Sequence, residues 1–343
     1  MKRLRILVLM HEDLVPPDSL RGYTDKEIID WKTEFDVVTT LKEMGHDVLP
    51  LGVSDDLGVV RRATLDLRPD ITFNLLEEFH GNSLFDYHIA TYMELMKQHY
   101  TGCNPRGLLL AHDKALSKKL LSFHRVNTAQ FVVFPQGKKI HLPKRLKFPL
   151  IVKSLVEEGS YGLSQASVVN NEEKLLERVA YLHEKLDTPV MAEEYIDGRE
   201  FYIGILGNNQ LNTLPVLELN FGKFPKAAHR IATSKVKWDW AYQKEHRIEI
   251  IVPDDLSPQF LNKIANLGKR IYRILSLSGY ARIDLRITED EKIYVLEANA
   301  NPDIGYGEEL STAAEEAGIS YEQLLQKIIN LGLKYQPGLV HIQ

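Results

Sequence analysis

Two apolar strand patterns late in the chain, Tyr280–Ile287 and Lys292–Glu297, flank the polar turn Thr288-Glu289-Asp290-Glu291 and predict a β-hairpin. This hairpin constrains the fold most, because ionic residues interrupt its apolar strands at fixed intervals. Arg282-Ile283-Asp284 lies on the first strand, and Glu297-Ala298-Asn299 closes the second. Side chains alternate between the faces of a strand, so Arg282 and Asp284 share a face, as do Glu297 and Asn299. Adjacent strands can then present Asp284, Glu297 and Asn299 to one point. Two carboxylates and an amide are oxygen ligands that suit Mg²⁺, which takes few protein ligands and fills its shell with water and phosphate oxygens. Arg282 beside them could stabilise charge on a reacting oxygen. The plain alternative is a surface hairpin closed by a salt bridge, and periodicity by itself does not choose between the two.

The segments upstream predict the rest of the architecture. Apolar Leu4–Met10, a helix pattern through Ile28, Trp31, Phe35, Val38 and Leu41, strands Asp47–Val53 and Ile71–Leu75, and a helix from Phe85 to Met96 alternate along the first hundred residues. Such alternation predicts a parallel sheet covered by helices, with ligands at the carboxyl ends of its strands. A helix over Asp113–Phe123, capped by Asp113, precedes strands Gln130–Phe134 and Pro149–Lys153. Strand Ala166–Val169, a helix from Glu172 to about Leu186 and strand Val190–Tyr195 complete a small α+β lobe. Longer strands Glu200–Leu206, Asn212–Leu219 and Arg247–Val252 follow. The helix Pro258–Leu275, the hairpin and two short helices near Glu308–Ala317 and Tyr321–Leu331 end the chain. With 343 residues, two or three lobes are expected. We place them at 1–106 (N-terminal α/β), 107–198 (small lobe with a glycine loop) and 199–336 (large lobe), with 337–343 as a tail.

Composition removes several function classes. Forty-two basic and 47 acidic residues give a net charge of −5, and no basic stripe invites a nucleic acid. A single cysteine, Cys103, rules out an internal disulfide and favours a reducing, cytoplasmic compartment. It reads as a small buried residue rather than a nucleophile. The apolar run after Lys2-Arg3 ends at His11-Glu12-Asp13, too short for a signal peptide. No stretch approaches the roughly 20 apolar residues that span a bilayer, so no membrane partner is expected.

Two further segments carry candidate chemistry. Lys153 ends a strand and is followed by Glu157-Glu158-Gly159-Ser160-Tyr161-Gly162. Glycines let backbone amides approach phosphates and a lysine neutralises them, although many strand connections contain two glycines. Ala192-Glu193-Glu194-Tyr195-Ile196, running into Asp197-Gly198-Arg199-Glu200, can offer backbone groups to an adenine and a carboxylate to a ribose. An ordinary crossover between lobes reads the same way.

Taken in order, these motifs resemble the ATP-grasp superfamily, and within it the D-alanine–D-alanine ligase group, from about Tyr100 to Leu331. The resemblance implies an ATP-grasp fold, α/β and α+β, preceded by an N-terminal parallel-sheet (preATP-grasp) lobe. Asp113-Lys114-x-x-x-Lys118 resembles the family's entry helix, which makes Lys114 a phosphate lysine and Lys153 the second. Gly159, Ser160, Tyr161 and Gly162 correspond to the loop that closes over ATP, with Ser160 also a catalytic candidate. Glu193, Glu194 and Ile196 correspond to the adenine hinge and Glu200 to the ribose carboxylate. Arg282 corresponds to the oxyanion arginine, and Asp284, Glu297 and Asn299 to the metal ligands, in Leu296-Glu297-Ala298-Asn299-x-x-Pro302. A further cation is expected from Lys237 or Lys235. The implied cofactors are ATP and Mg²⁺, two ions in number, with Mn²⁺ as an alternative. The implied reaction is ATP-dependent joining of a small-molecule or peptide carboxylate to an amine through an acyl phosphate. A kinase of the same fold and a non-catalytic ATP-binding regulator are the alternatives, and relatives suggest a homodimer.

The chain also departs from the family. After Pro302 it reads Asp303-Ile304-Gly305 where the family has Gly-Met-Thr, and the first strand is followed by His11-Glu12-Asp13 rather than a glycine-rich loop. Glu308 and Glu309 stand where the family places a serine and a leucine near the acceptor's carboxylate. Carboxylate facing carboxylate is disfavoured, so a different acceptor is expected, one that is cationic or lacks that carboxylate. The alternative is that both glutamates only begin a helix. His80, in Glu77-Glu78-Phe79-His80-Gly81, is a candidate substrate contact or a structural loop histidine.

Overall fold

The apolar run at the start of the chain forms β1 (Arg5–His11), with Ile6, Leu7, Val8, Leu9 and Met10 withdrawn from solvent. β2 (Asp47–Val53) and β3 (Ile71–Asn74) pair with it in parallel, in the order β2-β1-β3. The computed structural model describes residues 2–138, 142–143, 146–156, 162–225 and 228–338. Parallel neighbours need crossover connections, which the helices Lys32–Glu43 and Leu57–Leu67 supply. The helix expected through Ile28 and Leu41 is broken, with a short turn of helix at Asp25–Ile28 and a tighter turn at Ile29–Trp31 ahead of Lys32–Glu43. The break falls at Trp31, whose buried ring stands edge-on to Tyr23 at 5.3 Å and tilted against Phe35 at 5.9 Å.

Both faces of this sheet are covered, as parallel sheets require. Leu9 joins Val60, Ile89 and Met93 on one side. Ile6, Val8 and Met10 join Val37, Val38 and Leu41 on the other, together with Leu324, Leu325 and Ile328 from the helix Tyr321–Lys334. That helix comes close enough that a Cβ on Gly332 would lie 2.4 Å from the carbonyl oxygen of Tyr100. A segment near one end of the chain therefore completes the core of the lobe at the other.

β4 (Phe131–Phe134), β5 (Leu150–Ser154), β6 (Val168–Val169) and β7 (Val190–Glu194) form an antiparallel sheet in the order β4-β7-β5-β6. The helix Glu172–Leu186 has the expected bounds and buries Leu175, Val179 and Leu182 against Val152, Val190 and Ala192. Its acidic first turn and basic last turn complement the helix dipole.

The third sheet contains β8 (Arg199–Leu206), β9 (Asn212–Asn220), β10 (Glu249–Ile251), β11 (Tyr280–Ile287) and β12 (Ile293–Ala300), in the order β10-β9-β8-β11-β12. The expected hairpin is β11 with β12, and β12 runs on to Ala300. One face packs on the helix Pro258–Ile274, where Phe260, Ile264 and Ile271 meet Ile203, Ile205, Ile283 and Leu285. The helices Pro105–His112, Ser234–Trp238 and Trp240–His246 complete the connections. Among the described residues no helix is long and apolar enough to cross a membrane. The parallel N-terminal sheet and the antiparallel sheets that follow it match the α/β and α+β architecture expected.

Candidate active site

β11 is buried along all eight residues, so its ionic side chains cannot be a solvated face. Ile283, Leu285 and Ile287 turn toward the helix-covered core, which leaves Arg282, Asp284 and Arg286 on the opposite face. The register places Asp284 opposite Glu297 and Arg282 opposite Asn299 on β12, and on β8 it places Arg286 opposite Glu200 and Asp284 opposite Tyr202. Next to this ladder the pairing slips between Asp284 and Leu285, whose partners are Glu297 and Val295. The slip is a β-bulge, which brings Leu296 and its neighbour Glu297 to the same cleft instead of opposite faces.

Arg282, Asp284, Arg286 and Glu200 on this face have specific partners. Arg282 donates from Nε to Asp284 Oδ1 at 2.8 Å, from Nη2 to Asp284 Oδ2 at 3.1 Å and from Nη1 to Glu309 Oε2 at 2.9 Å. Its guanidinium lies over the Tyr202 ring at 5.1 Å. Arg286 donates to Glu200 at 2.7 Å and to the carbonyls of Gly198 and Arg230, while the Tyr202 hydroxyl donates to Glu200 at 3.0 Å. Burial pushes Asp284 up to about 6 despite the attraction of Arg282. Burial would raise Glu297 as well, but Lys114, Lys153, Lys237 and Arg282 outweigh it and hold that carboxyl down at about 2. The Asn299 amide nitrogen is buried without a hydrogen-bond partner.

Across from this face, β5 and β7 supply a second charged group. Residues 151 and 153 point the same way, so Ile151 and Lys153 both line the cleft. Glu193 on β7 is almost wholly buried and bridges two lysines, with Lys153 Nζ at 2.8 Å from Oε1 and Lys118 Nζ at 2.8 Å from Oε2. Burial acts to raise the Glu193 carboxyl, but the two ammonium groups dominate and lower it. Burial, helped by the neighbouring Lys153 ammonium, lowers Lys118 against the attraction of Glu193 and Glu297, whereas Glu193, Glu297 and Glu200 together raise Lys153 against burial.

Between the two sheets lies a cleft of about 850 Å³, counting its open mouth. Lys114, Lys153, Glu193, Glu194, Ile196, Glu200, Lys237, Asp284 and Glu297, all singled out in the sequence, line it. Lys237, not Lys235, reaches it, from the short helix Ser234–Trp238. Apolar Ala129, Ile151, Leu163, Ile231, Ala232 and Leu296, with Ser154, Tyr195 and Arg286, form the remainder of the wall. Gly162 has φ 74° and its carbonyl accepts from Arg178, whereas Gly159, Ser160 and Tyr161 lie outside the described residues. His80 is exposed on its loop at φ 57°, with Nδ1 4.0 Å from Asp55 Oδ2, and none of its contacts is with Arg282 or Glu308. Glu308 caps the helix Glu309–Glu316 without a side-chain capping bond, and Glu309 reaches Arg282.

Tyr202 and Arg286 belong to this site but were not singled out, and Lys118 and Leu296 were named only within their motifs, without a role. Arg286 continues the alternation Arg282-x-Asp284-x-Arg286, and Lys118 lies one helical turn beyond Lys114, so both had a local signal. Tyr202 had none, because its place depends on strand pairing, and the motif that names Leu296 does not reveal the bulge that turns it to the cleft.

The chain is similar to known proteins. The family model described as D-ala D-ala ligase C-terminus matches residues 116–330. The D-alanine–D-alanine ligase of Aquifex aeolicus is 28% identical over 326 residues, covering 95% of this chain and all of that protein. The crystal structure of a D-alanine–D-alanine ligase from Bacillus anthracis complexed with ATP superposes with a TM-score of 0.74 at 21% identity, covering 96% of this chain and 97% of that one. The VanG D-Ala:D-Ser ligase of Enterococcus faecalis superposes with a TM-score of 0.71 at 18% identity, over 96% of this chain and the whole of that one.

Proposed function

Since the chain belongs to the D-alanine–D-alanine ligase family, whose C-terminal model covers more than half of it, we propose that the cleft between β5–β7 and β8–β11–β12 is where it uses ATP to join a carboxylate to an amine. It is an ADP-forming carbon–nitrogen ligase of the ATP-grasp type, it depends on ATP and a divalent metal, and the substrates of its family are small molecules. The observation that carries the site assignment is the cross-strand pair of buried Asp284 and half-buried Glu297, beside Arg282 and in the field of Lys114, Lys153 and Lys237.

The donor set fits a divalent cation. Two carboxylates face each other on adjacent strands, and the Asn299 side chain beside them can add its amide oxygen as a third oxygen ligand. Mg²⁺ held there, as one or two ions, would neutralise charge on phosphate oxygens. Lys114 and Lys153 bind the phosphates as point charges. Glu193, Glu194 and Ile196 orient the adenine, and Glu200, held by Arg286 and Tyr202, takes the ribose. A substrate carboxylate oxygen attacks the γ-phosphorus and ADP departs. The amine then attacks the acyl carbon, phosphate leaves and the amine gives up a proton. Arg282 is fixed by Asp284 and Glu309 and meets the oxygen on which negative charge gathers. The D-Ala:D-Ser specificity named for the VanG neighbour supports a substrate that varies within this fold.

The test is ADP release from the purified chain with Mg²⁺-ATP and a panel of small-molecule and peptide carboxylates and amines, with products identified by mass spectrometry. Release that needs both substrates and yields an amide is expected, and Glu297→Gln should abolish it. A phosphorylated product without amide would make the chain a kinase, and ATP binding without turnover on any pair would make it a regulator.

A further inference from the structure

Beyond Arg282, on the side away from the ATP cleft, carboxylates outnumber the cations that could balance them. The helix Lys32–Glu43 brings Glu34 and Asp36, the loop after β12 brings Asp303, and the start of the helix Glu309–Glu316 brings Glu308 and Glu309. Glu309 is balanced by Arg282 at 2.9 Å, and Asp36 by Lys32 at 2.6 Å, which also donates to the Tyr306 carbonyl. Asp303 accepts only neutral donors, the Thr33 hydroxyl at 2.6 Å and the Gly305 amide at 2.8 Å. Glu34 and Glu308 have no ion-pair partner among the described residues, although Glu34 is 6% exposed.

A second observation lies outside the acidic residues. The hydroxyl of Tyr321, a side chain 7% exposed, has no hydrogen-bond partner. Burial and the fields of Asp36, Asp303, Tyr280 and Glu34 push that hydroxyl above its ordinary range, so it stands among these carboxylates without bonding to any. A buried orphan hydroxyl costs about 1–3 kcal/mol unless something satisfies it.

We propose that Glu34 and Asp303, near the Tyr321 hydroxyl, together with Glu308, which flanks Gly305 with Asp303, hold an ammonium or guanidinium group carried by the amine substrate at a distance from its reacting nitrogen. The inference rests on the ligase reading above and assigns the substrate class of that same site. Glu309 connects the patch to Arg282, so a cation here belongs to a molecule whose other end reaches the reacting centre. An acceptor carboxylate would meet repulsion, whereas a cation would supply the charge these groups lack. The carboxylates are also too dispersed for a bare metal ion: among the described residues no three His, Cys, Asp or Glu side chains converge as metal ligands do. The titrations agree. Burial, then Asp303 and Glu309, push Glu308 up to about 8 against Lys32 and Arg282, and burial with Asp303 and Asp36 pushes Glu34 up to about 7.

Calorimetric titration of the full chain, with Mg²⁺ and a non-hydrolysable ATP analogue, tests this. The probes are 1,4-diaminobutane and agmatine, with 4-amino-1-butanol as the neutral comparison. We expect at least one dication to bind ten-fold or more tightly than the amino alcohol. Glu308→Gln should reduce that preference to three-fold or less. Tyr321→Phe, which removes one oxygen and keeps the ring, should weaken the dication three- to ten-fold without affecting the amino alcohol. Equal binding of dications and amino alcohol, or an unchanged preference in both variants, would overturn the proposal. ADP release with neutral amines alone would also overturn it while leaving the ligase reading intact, whereas no ADP release with any pair would remove that reading instead.

Discussion

At Arg282, chemistry and packing compete for one guanidinium. Asp284 and Glu309 occupy three of its donors, and Tyr202 supports its face. Lysine keeps the charge but not the planar fork, so Arg282→Lys should lose the geometry while leaving the nucleotide's contacts in place. We expect kcat to fall by about 10²–10³, with the nucleotide Kd within roughly three-fold, read by ADP release and by titration with an ATP analogue. Glu34 gives a pH signature. Its carboxyl is raised from 4.5 to about 7, so the folded state binds more protons than the unfolded state between those values. That contribution favours the fold below pH 4.5 and is lost as pH rises toward 7. Glu34→Gln should therefore gain stability relative to the parent by up to about 3 kcal/mol between pH 5 and pH 8, measured by denaturant midpoints at the two values. A difference that stays constant with pH would show that Glu34 does not titrate in that window. Residue-level alternation made Arg282, Asp284, Glu297 and Asn299 legible in the sequence. The Lys118–Glu193–Lys153 bridge was not legible, because its members sit on a helix and two strands that only the packing brings together.

Elements were legible where local signals agreed. The helix Glu172–Leu186 has an Asn171 cap, acidic residues in its first turn and a strong apolar stripe, and the hairpin strands alternate around a polar turn. The helices Leu57–Leu67, Pro105–His112, Ser234–Trp238 and Trp240–His246 went unread, although Asp56, Asn104, Thr233 and Asp239 cap them with side-chain bonds. Each is short, and the last two are too brief for periodicity to register. Glycine within a helix shows why propensity is a poor guide here. Alanine at position 332 would favour the helix by about 1 kcal/mol, but its Cβ would meet the Tyr100 carbonyl oxygen at 2.4 Å and Ile71 Cδ1 at 2.8 Å. Backbone cannot retreat as a flexible side chain can, so Gly332→Ala should destabilise the protein by about 1–3 kcal/mol. Thermal unfolding would show it, and an unchanged or raised Tm would mean that the helix shifts without cost.

On the scale of the whole molecule, the three sheets do not have three independent cores. The small lobe does: Phe134, Leu150, Val152, Leu175, Val179, Leu182, Val190 and Ala192 pack among themselves. The N-terminal sheet does not, since one of its faces is buried only with Leu324, Leu325 and Ile328 in place. A chain of residues 1–106 alone should therefore fail to give cooperative unfolding or dispersed amide resonances. Dispersed resonances from that fragment would show that the sheet folds without the distant helix. Strand alternation predicted this lobe, but no local pattern shows which element covers it, because the partner lies some 250 residues away.

That separation also has a consequence for synthesis. A ribosome adding about 5–20 residues each second needs on the order of ten to fifty seconds to pass from Asn74 to Tyr321. Throughout that interval the face of Ile6, Val8 and Met10 is without its final cover. A nascent chain halted before residue 321 presents that oily face to chaperones and proteases, while one that emerges past residue 334 hides it. The helix Tyr321–Lys334 thus closes that face only after it has itself emerged, so burial of the face reports that synthesis has passed residue 334.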